Sequence, residues 1–232
     1  MAHLSMTDHA ERHRRMLYGR RKGPKLSAHQ QRLLDLLLPQ FELKLEAGRD
    51  SHSYFPSAVD DVWLEVGFGG GEHLFWQAQH NPNVGLIGAE PYVNGVVKLL
   101  SKLEAAPSSN IRVYMGDARD IIEALPDASL GRVFILFPDP WPKARHHKRR
   151  FIQMDTLDRL ARVLKPGAEL RFASDDAGYV EWTLERFMAH PAFEWTATRA
   201  ADWKTRPADW PPTRYEGKQM HGQPMFLKFC RF

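Results

Sequence analysis

Residues Asp61-Val62-Trp63-Leu64-Glu65-Val66 make a short apolar run, and the chain then enters Gly67-Phe68-Gly69-Gly70-Gly71-Glu72 before an apolar helical stretch from His73 to Gln79. A strand passing through a glycine turn into a helix is the opening unit of a parallel α/β sheet. Glycines there permit positive φ and let a ligand approach the backbone N–H groups at a helix N-terminus. The turn is not a phosphate loop, because no Gly-Lys-Ser/Thr follows. Glu72 also stands where the dinucleotide pattern G-x-G-x-x-G needs its last glycine.

The strands that follow repeat one theme. Val84–Ala89 ends at Glu90, about twenty residues past the turn, where a nucleoside-binding sheet places an acid for ribose hydroxyls. Ile111–Gly116 leads to Asp117, and Arg132–Phe137 leads to Asp139. With Glu65, four consecutive strands each deliver an acid at or just past the carboxyl end, the edge at which open parallel sheets bind ligands. Any one of these acids can be a helix cap, but four in succession describe a ligand site. Acids without a phosphate loop suit a ligand with hydroxyls, an amino group and a positive centre, and S-adenosyl-L-methionine has all three.

Asp139 lies within Phe137-Pro138-Asp139-Pro140-Trp141-Pro142-Lys143, which Arg145-His146-His147-Lys148-Arg149-Arg150 follows. A carboxylate can accept hydrogen bonds from the donor edge of guanine, an indole can stack a base, and cations can neutralise phosphates, so the segment suits RNA. A second basic region precedes the sheet. Between Met1 and Lys25 seven Arg and Lys residues face two acids, a net +5, whereas the whole 232-residue chain carries only +4. We expect residues 1–25 to form a basic, mobile arm suited to phosphate contact, and residues 26–232 to form one catalytic domain.

Composition excludes several classes. The single Cys230 rules out an internal disulfide framework and suits a reducing cytoplasm. The apolar runs fall well short of the roughly eighteen residues of a membrane helix, and the N-terminus lacks the apolar stretch of a secretory signal. The eleven histidines lack zinc-ligand spacing, so no metal is expected. Ser27–Leu38 reads as a helix ended by Pro39. Phe151–Leu164 reads as an amphipathic helix stopped by Lys165-Pro166-Gly167, and Tyr179–Met188 as a further helix. The sequence leaves monomer and homodimer open.

Taken together, the strand and glycine turn, Glu90, Asp117 and the Pro138-Asp139-Pro140-Trp141 loop with its basic run resemble the tRNA (guanine-N7)-methyltransferase family of the TrmB type, from about Arg20 to the C-terminus. Ser174-Asp175, where the family usually has Thr-Asp, and Thr213-Arg214-Tyr215-Glu216 complete the match. The resemblance implies a class I methyltransferase fold: a mostly parallel seven-stranded sheet, helices on both faces and an antiparallel C-terminal strand. It implies Glu65, Gly67, Gly69, Glu90, Asp117 and Asp139 as contacts to S-adenosyl-L-methionine, with Asp139 catalytic. It also implies Lys143, Asp175, Thr213, Arg214, Tyr215 and Glu216 as substrate contacts, and methylation of guanine 46 in the tRNA variable loop. Arg145 to Arg150 are expected to contact RNA. Two alternatives use the same fold: an exocyclic-amino methyltransferase, whose loop reads Asn/Asp-Pro-Pro-Tyr/Phe with the acid before both prolines, and a non-catalytic RNA-binding protein. A nicotinamide dehydrogenase is disfavoured by Glu72.

Overall fold

The structure is a computed structural model and describes residues 18–19, 23–212, 216 and 222–232. Seven strands form one sheet: β1 (Asp61–Val66), β2 (Val84–Ala89), β3 (Ile111–Tyr114), β4 (Leu130–Leu136), β5 (Leu164–Ser174), β6 (Phe193–Trp195) and β7 (Met225–Arg231). Their spatial order is β3-β2-β1-β4-β5-β7-β6. Neighbours from β3 to β5 are parallel, and β7 inserts antiparallel to both β5 and β6. The order reverses at β1, with β2 on one side and β4 on the other, so the crevice for a ligand opens above the carboxyl end of β1.

Side chains alternate across each strand and build two cores. One face carries Val62, Leu64, Val133, Ile135, Leu170 and Phe172, covered by α5 (Ala118–Ala124), α6 (Met154–Val163) and α7 (Ala177–Ala189). The opposite face carries Trp63, Leu86, Phe134, Leu136 and Phe226. It is covered by α3 (Glu72–His80), α4 (Val93–Ala105) and the N-terminal helical segment, with Trp210 filling the part that no long helix reaches. The segment after β6 holds the short α8 (Ala201–Lys204).

Besides α6, which starts at Met154 and not at Phe151, two boundaries differ from the sequence reading. Pro39 does not end the first helix. That helix begins at α1 (Ala28–Arg32), where Ser27 and Gln30 form a capping box, widens into a π turn over Leu33–Leu37 and continues as α2 (Leu38–Phe41). Leu38 N–H reaches back five residues to the Leu33 carbonyl, and Pro39 falls in the first turn of α2, where a missing N–H costs least. Second, Lys165-Pro166-Gly167 lies inside β5, which starts at Leu164. Gly167 at φ +79° and a shift in the β4–β5 register accommodate the turn signal within the strand.

Candidate active site

The glycine turn, Glu90, Asp117 and Asp139 converge on the carboxyl edge above β1. Gly67, Gly69 and Gly71 all have positive φ, and Gly71 caps α3 in the left-handed region, a backbone that other residues adopt only under strain. Glu90, just past β2, is 7% exposed and ties the turn in place: its two carboxylate oxygens accept from Gly69 N–H at 2.7 Å and Tyr92 N–H at 2.8 Å. Burial chiefly pushes the Glu90 carboxyl above its ordinary pKa, and the charges of Asp139 and Glu65 add to this against the two backbone donors.

The other two acids of the first three strands already have partners. Glu65 points to the Trp63 and Phe134 face, where Oε2 lies 2.7 Å from His73 Nδ1 and both side chains are buried. His73 packs edge-on against Phe134 and Trp210. Asp117 caps α5 through Arg119 N–H and also accepts from the Arg119 guanidinium at 2.6 Å. Glu90 and Asp139 differ from both, because neither has an Arg, Lys or His side chain as ion-pair partner among the described residues. Two uncompensated carboxylates facing a glycine-lined crevice fit a ligand that brings hydroxyl donors and positive charge, as S-adenosyl-L-methionine does.

Asp139 sits in a rigid loop. Phe137 and Trp141 are non-glycine residues at φ +50° and +45°, a strain of about 1–3 kcal/mol each that the surroundings must hold. Phe137 N–H donates to the Ala173 carbonyl at 2.7 Å, and the Arg150 guanidinium donates to the Pro140 carbonyl at 2.8 Å. The Asp139 carboxylate remains open to solvent at the mouth of the crevice, yet the protein crowding around it raises its pKa.

The basic strip divides by exposure. Lys143, Arg145 and Lys148 face solvent. His146 meets the Trp141 edge, and partial loss of solvation together with the cations of Arg149, Arg145, Lys143 and Lys148 holds its pKa below the ordinary value. His147 packs against Trp182, and Arg149 lies over Trp141. Arg150 departs from the expected RNA contact. It is 3% exposed, bonds the Pro140 and Gly178 carbonyls and stacks on Tyr179 and Trp182, so it clamps the loop from within.

On the substrate side, β5 ends at Ser174 and places Asp175 at the same edge, while the adjacent Asp176 caps α7 through Tyr179 N–H at 2.7 Å. Glu216 accepts from Arg206 at 2.8 Å. Thr213, Arg214 and Tyr215 lie outside the described residues. The approach to them is firmly anchored at Asp209. Its carboxylate accepts from Arg171 at 2.7 Å, its carbonyl accepts from Gln77 at 2.8 Å, and Trp210 beside it is 4% exposed. Gln77 contacts His73 in turn, so a chain of polar contacts runs from Glu65 at the end of β1 to the segment before Thr213.

His73, Gln77 and Asp209 were not singled out in the sequence, since nothing local relates a histidine on one helix to an aspartate 136 positions later. The i, i+4 spacing of His73 and Gln77 was the available signal. Asn94 was missed as well: its side chain accepts from Gly23 N–H and donates to the Pro24 carbonyl, joining the chain before the first helix to the start of α4.

A family profile described as a putative methyltransferase matches residues 60–227. The chain is 53% identical over 221 residues to the tRNA (guanine-N(7)-)-methyltransferase of Rhodospirillum rubrum, covering 92% of this chain and 87% of that protein. It is 47% identical over 233 residues to the protein of the same name from Azorhizobium caulinodans, covering 100% of both. Among solved structures, the 16S rRNA methyltransferase KamB aligns with a TM-score of 0.53 at 17% identity, over 82% of this chain and 99% of that one. A putative methyltransferase from Streptococcus mutans in complex with SAH aligns with a TM-score of 0.51 at 10% identity, over 87% and 98%. These two likenesses speak to the fold alone. By the sequence relationship, the chain belongs to the tRNA (guanine-N(7)-)-methyltransferase family.

Proposed function

We propose that the protein is a cytoplasmic enzyme that transfers a methyl group from S-adenosyl-L-methionine to N7 of guanine in tRNA, at position 46 of the variable loop. The observation that carries the reading is the pair Glu90 and Asp139. They stand past β2 and β4, on either side of the β1 glycine turn, without an Arg, Lys or His side chain as ion-pair partner among the described residues and next to exposed Lys143, Arg145 and Lys148. The cofactor supplies an electrophilic methyl on a sulfonium centre. Glu90 would bind its ribose hydroxyls, Asp117, held in place by Arg119, would stand beside its adenine, and the backbone of Gly67 and Gly69 would lie against it. Glu65 supports this wall through His73.

Guanine N7 carries a lone pair and no proton, so no side chain has to remove one before attack. Asp139 therefore acts by holding guanine through N1–H and N2–H and by offsetting the positive charge that grows on the purine, a contribution of alignment and electrostatics. Lys143, Asp175, Thr213, Arg214, Tyr215 and Glu216 complete substrate binding, and Arg145, His146, His147, Lys148 and Arg149 meet phosphates. Incubation of unmodified tRNA transcript with labelled S-adenosyl-L-methionine, followed by borohydride and aniline, tests the reading. Label with strand scission at the variable-loop guanine is expected. Label without scission would replace it with transfer to an exocyclic amine.

A further inference from the structure

α3 joins two parts of the site that lie far apart in sequence. Its N-terminus is the glycine turn, capped by Gly71, and its inward face carries His73 and Gln77, which are 2% and 1% exposed. Gln77 Nε2 donates to the Asp209 carbonyl at 2.8 Å, across 132 positions of chain and immediately ahead of the buried Trp210. The same nitrogen lies 3.2 Å from His73 Nε2. On the other side of the ring, His73 Nδ1 lies 2.7 Å from Glu65 Oε2.

These partners decide which atom carries each proton. The Gln77 amide cannot be turned round, because its Oε1 accepts from Asn81 Nδ2 at 3.0 Å and its nitrogen faces a carbonyl, which can only accept. Asn81 is fixed in turn, since its Nδ2 also donates to the Gln77 carbonyl. Both Gln77 amide protons are therefore assigned, one to Asp209 and one to His73, and His73 Nε2 is the bare, accepting nitrogen. Nδ1 holds the ring proton and donates it to the Glu65 carboxylate. The opposite tautomer would set Nε2–H against the amide protons, and Gln77 would have to release Asp209 to relieve the conflict. At this depth a released polar group stays unsatisfied, so the chain of bonds favours one arrangement. The Asp209 carboxylate has its own anchor on Arg171, so the Gln77 bond is not what keeps this segment attached. It fixes the backbone, and with it the direction of the chain at Trp210, whose ring meets His73 edge-on.

We propose that Gln77, with His73 held in one tautomer by Glu65, is a positioning residue for substrate binding: it sets the backbone leading into residues 213–216 against the helix that begins at the glycine turn. This inference rests on the reading above that residues 213–216 meet the target nucleoside. The test uses full-length protein and unmodified tRNA, with KM and kcat for tRNA, the dissociation constant of S-adenosyl-L-methionine and the melting temperature measured on each variant. Gln77→Met keeps length and bulk but removes both amide protons. Leu100→Ala, fully buried in the same core and no member of the polar chain, is the packing control.

Gln77→Met should raise KM for tRNA roughly tenfold, the scale of one buried hydrogen bond lost, with kcat and cofactor affinity near wild type. Leu100→Ala should lower the melting temperature without that selective rise. A wild-type KM in Gln77→Met would overturn the positioning role and leave the enzyme assignment intact. Parallel losses in KM, kcat and cofactor affinity, matched by Leu100→Ala, would also overturn it, by showing general loosening. A wild-type protein that transfers no methyl to tRNA would overturn the underlying reading instead. The tautomer is read separately by nitrogen NMR on wild-type protein with isotope-labelled histidine, the His73 signals being identified by their loss in His73→Asn. A protonated Nδ1 and a bare Nε2 are expected, and a proton on Nε2 would overturn the chain of bonds on which the proposal stands.

Discussion

Glu90 shows how the chemistry of a single side chain separates binding from scaffold. Its carboxylate holds the glycine turn through Gly69 and the start of α4 through Tyr92, while burial raises its pKa. Glu90→Ala should weaken S-adenosyl-L-methionine binding at least about tenfold, the scale of lost hydrogen bonds to a charged acceptor, as titration calorimetry would measure. The pH dependence has a definite sign. Glu90 and Asp139 both have raised values, so each takes up its proton at a higher pH than an ordinary Glu of 4.5 or Asp of 3.8. Cofactor affinity should therefore fall on acidification, beginning above those ordinary values. Asp209 has the opposite sign. Burial acts to raise it, but the Arg171 hydrogen bond and the charges of Arg171, Arg132 and Lys228 outweigh burial and hold it below 3.8. Its stabilising contribution is present above the unfolded value and is lost as pH falls through the lower folded value. Asp209→Asn should thus lower the melting temperature at neutral pH, with the difference shrinking in acid. Among the strip residues, Arg150→Ala should lower stability by about 2 kcal/mol or more because two carbonyls and two aromatic faces lose their partner. Lys148→Ala should leave stability unchanged and reduce the salt slope of tRNA affinity by about one unit.

At the scale of elements, the sheet was readable because parallel strands buried on both faces are short apolar runs, and their ligand edge marks itself with acids. Glu65, Glu90, Asp117 and Asp139 were placed correctly relative to their strands for that reason. Which acids still have open lone pairs was not readable. That depends on His73 and Arg119, whose approach is set by how α3 and α5 pack. The same limit applies to the run Arg145 to Arg150, where a 3₁₀ turn over Ala144–Arg149 is followed by an inward Arg150 while Arg145 and Lys148 stay out. A basic run alone does not carry that phase. The segment after β6 read as an irregular aromatic loop, and its depth emerges only in three dimensions, where Trp210 stands in for a helix on one face of the sheet. Trp210→Ala should cost about 3–5 kcal/mol in chemical denaturation, as a large buried side chain does.

For the whole molecule, the sheet order brings a cofactor crevice, a strained acid-bearing loop and a cationic rim to one edge. The N-terminal residues that the sequence describes only as a charged arm return to that edge at Tyr18 and Gly19. No helix among the described residues is long and apolar enough to cross a membrane, and no group of three or more His, Cys, Asp or Glu among them is placed to hold a metal ion. The proposed reaction turns on one atom, N7 of guanine in tRNA. It is tested most directly by replacing that atom: two otherwise identical tRNAs, one with guanine and one with 7-deazaguanine at the variable-loop position, are offered with labelled S-adenosyl-L-methionine. Methylation of the guanine tRNA alone, with equal binding of both, is the predicted result. Equal labelling of the 7-deazaguanine tRNA would contradict attack by N7.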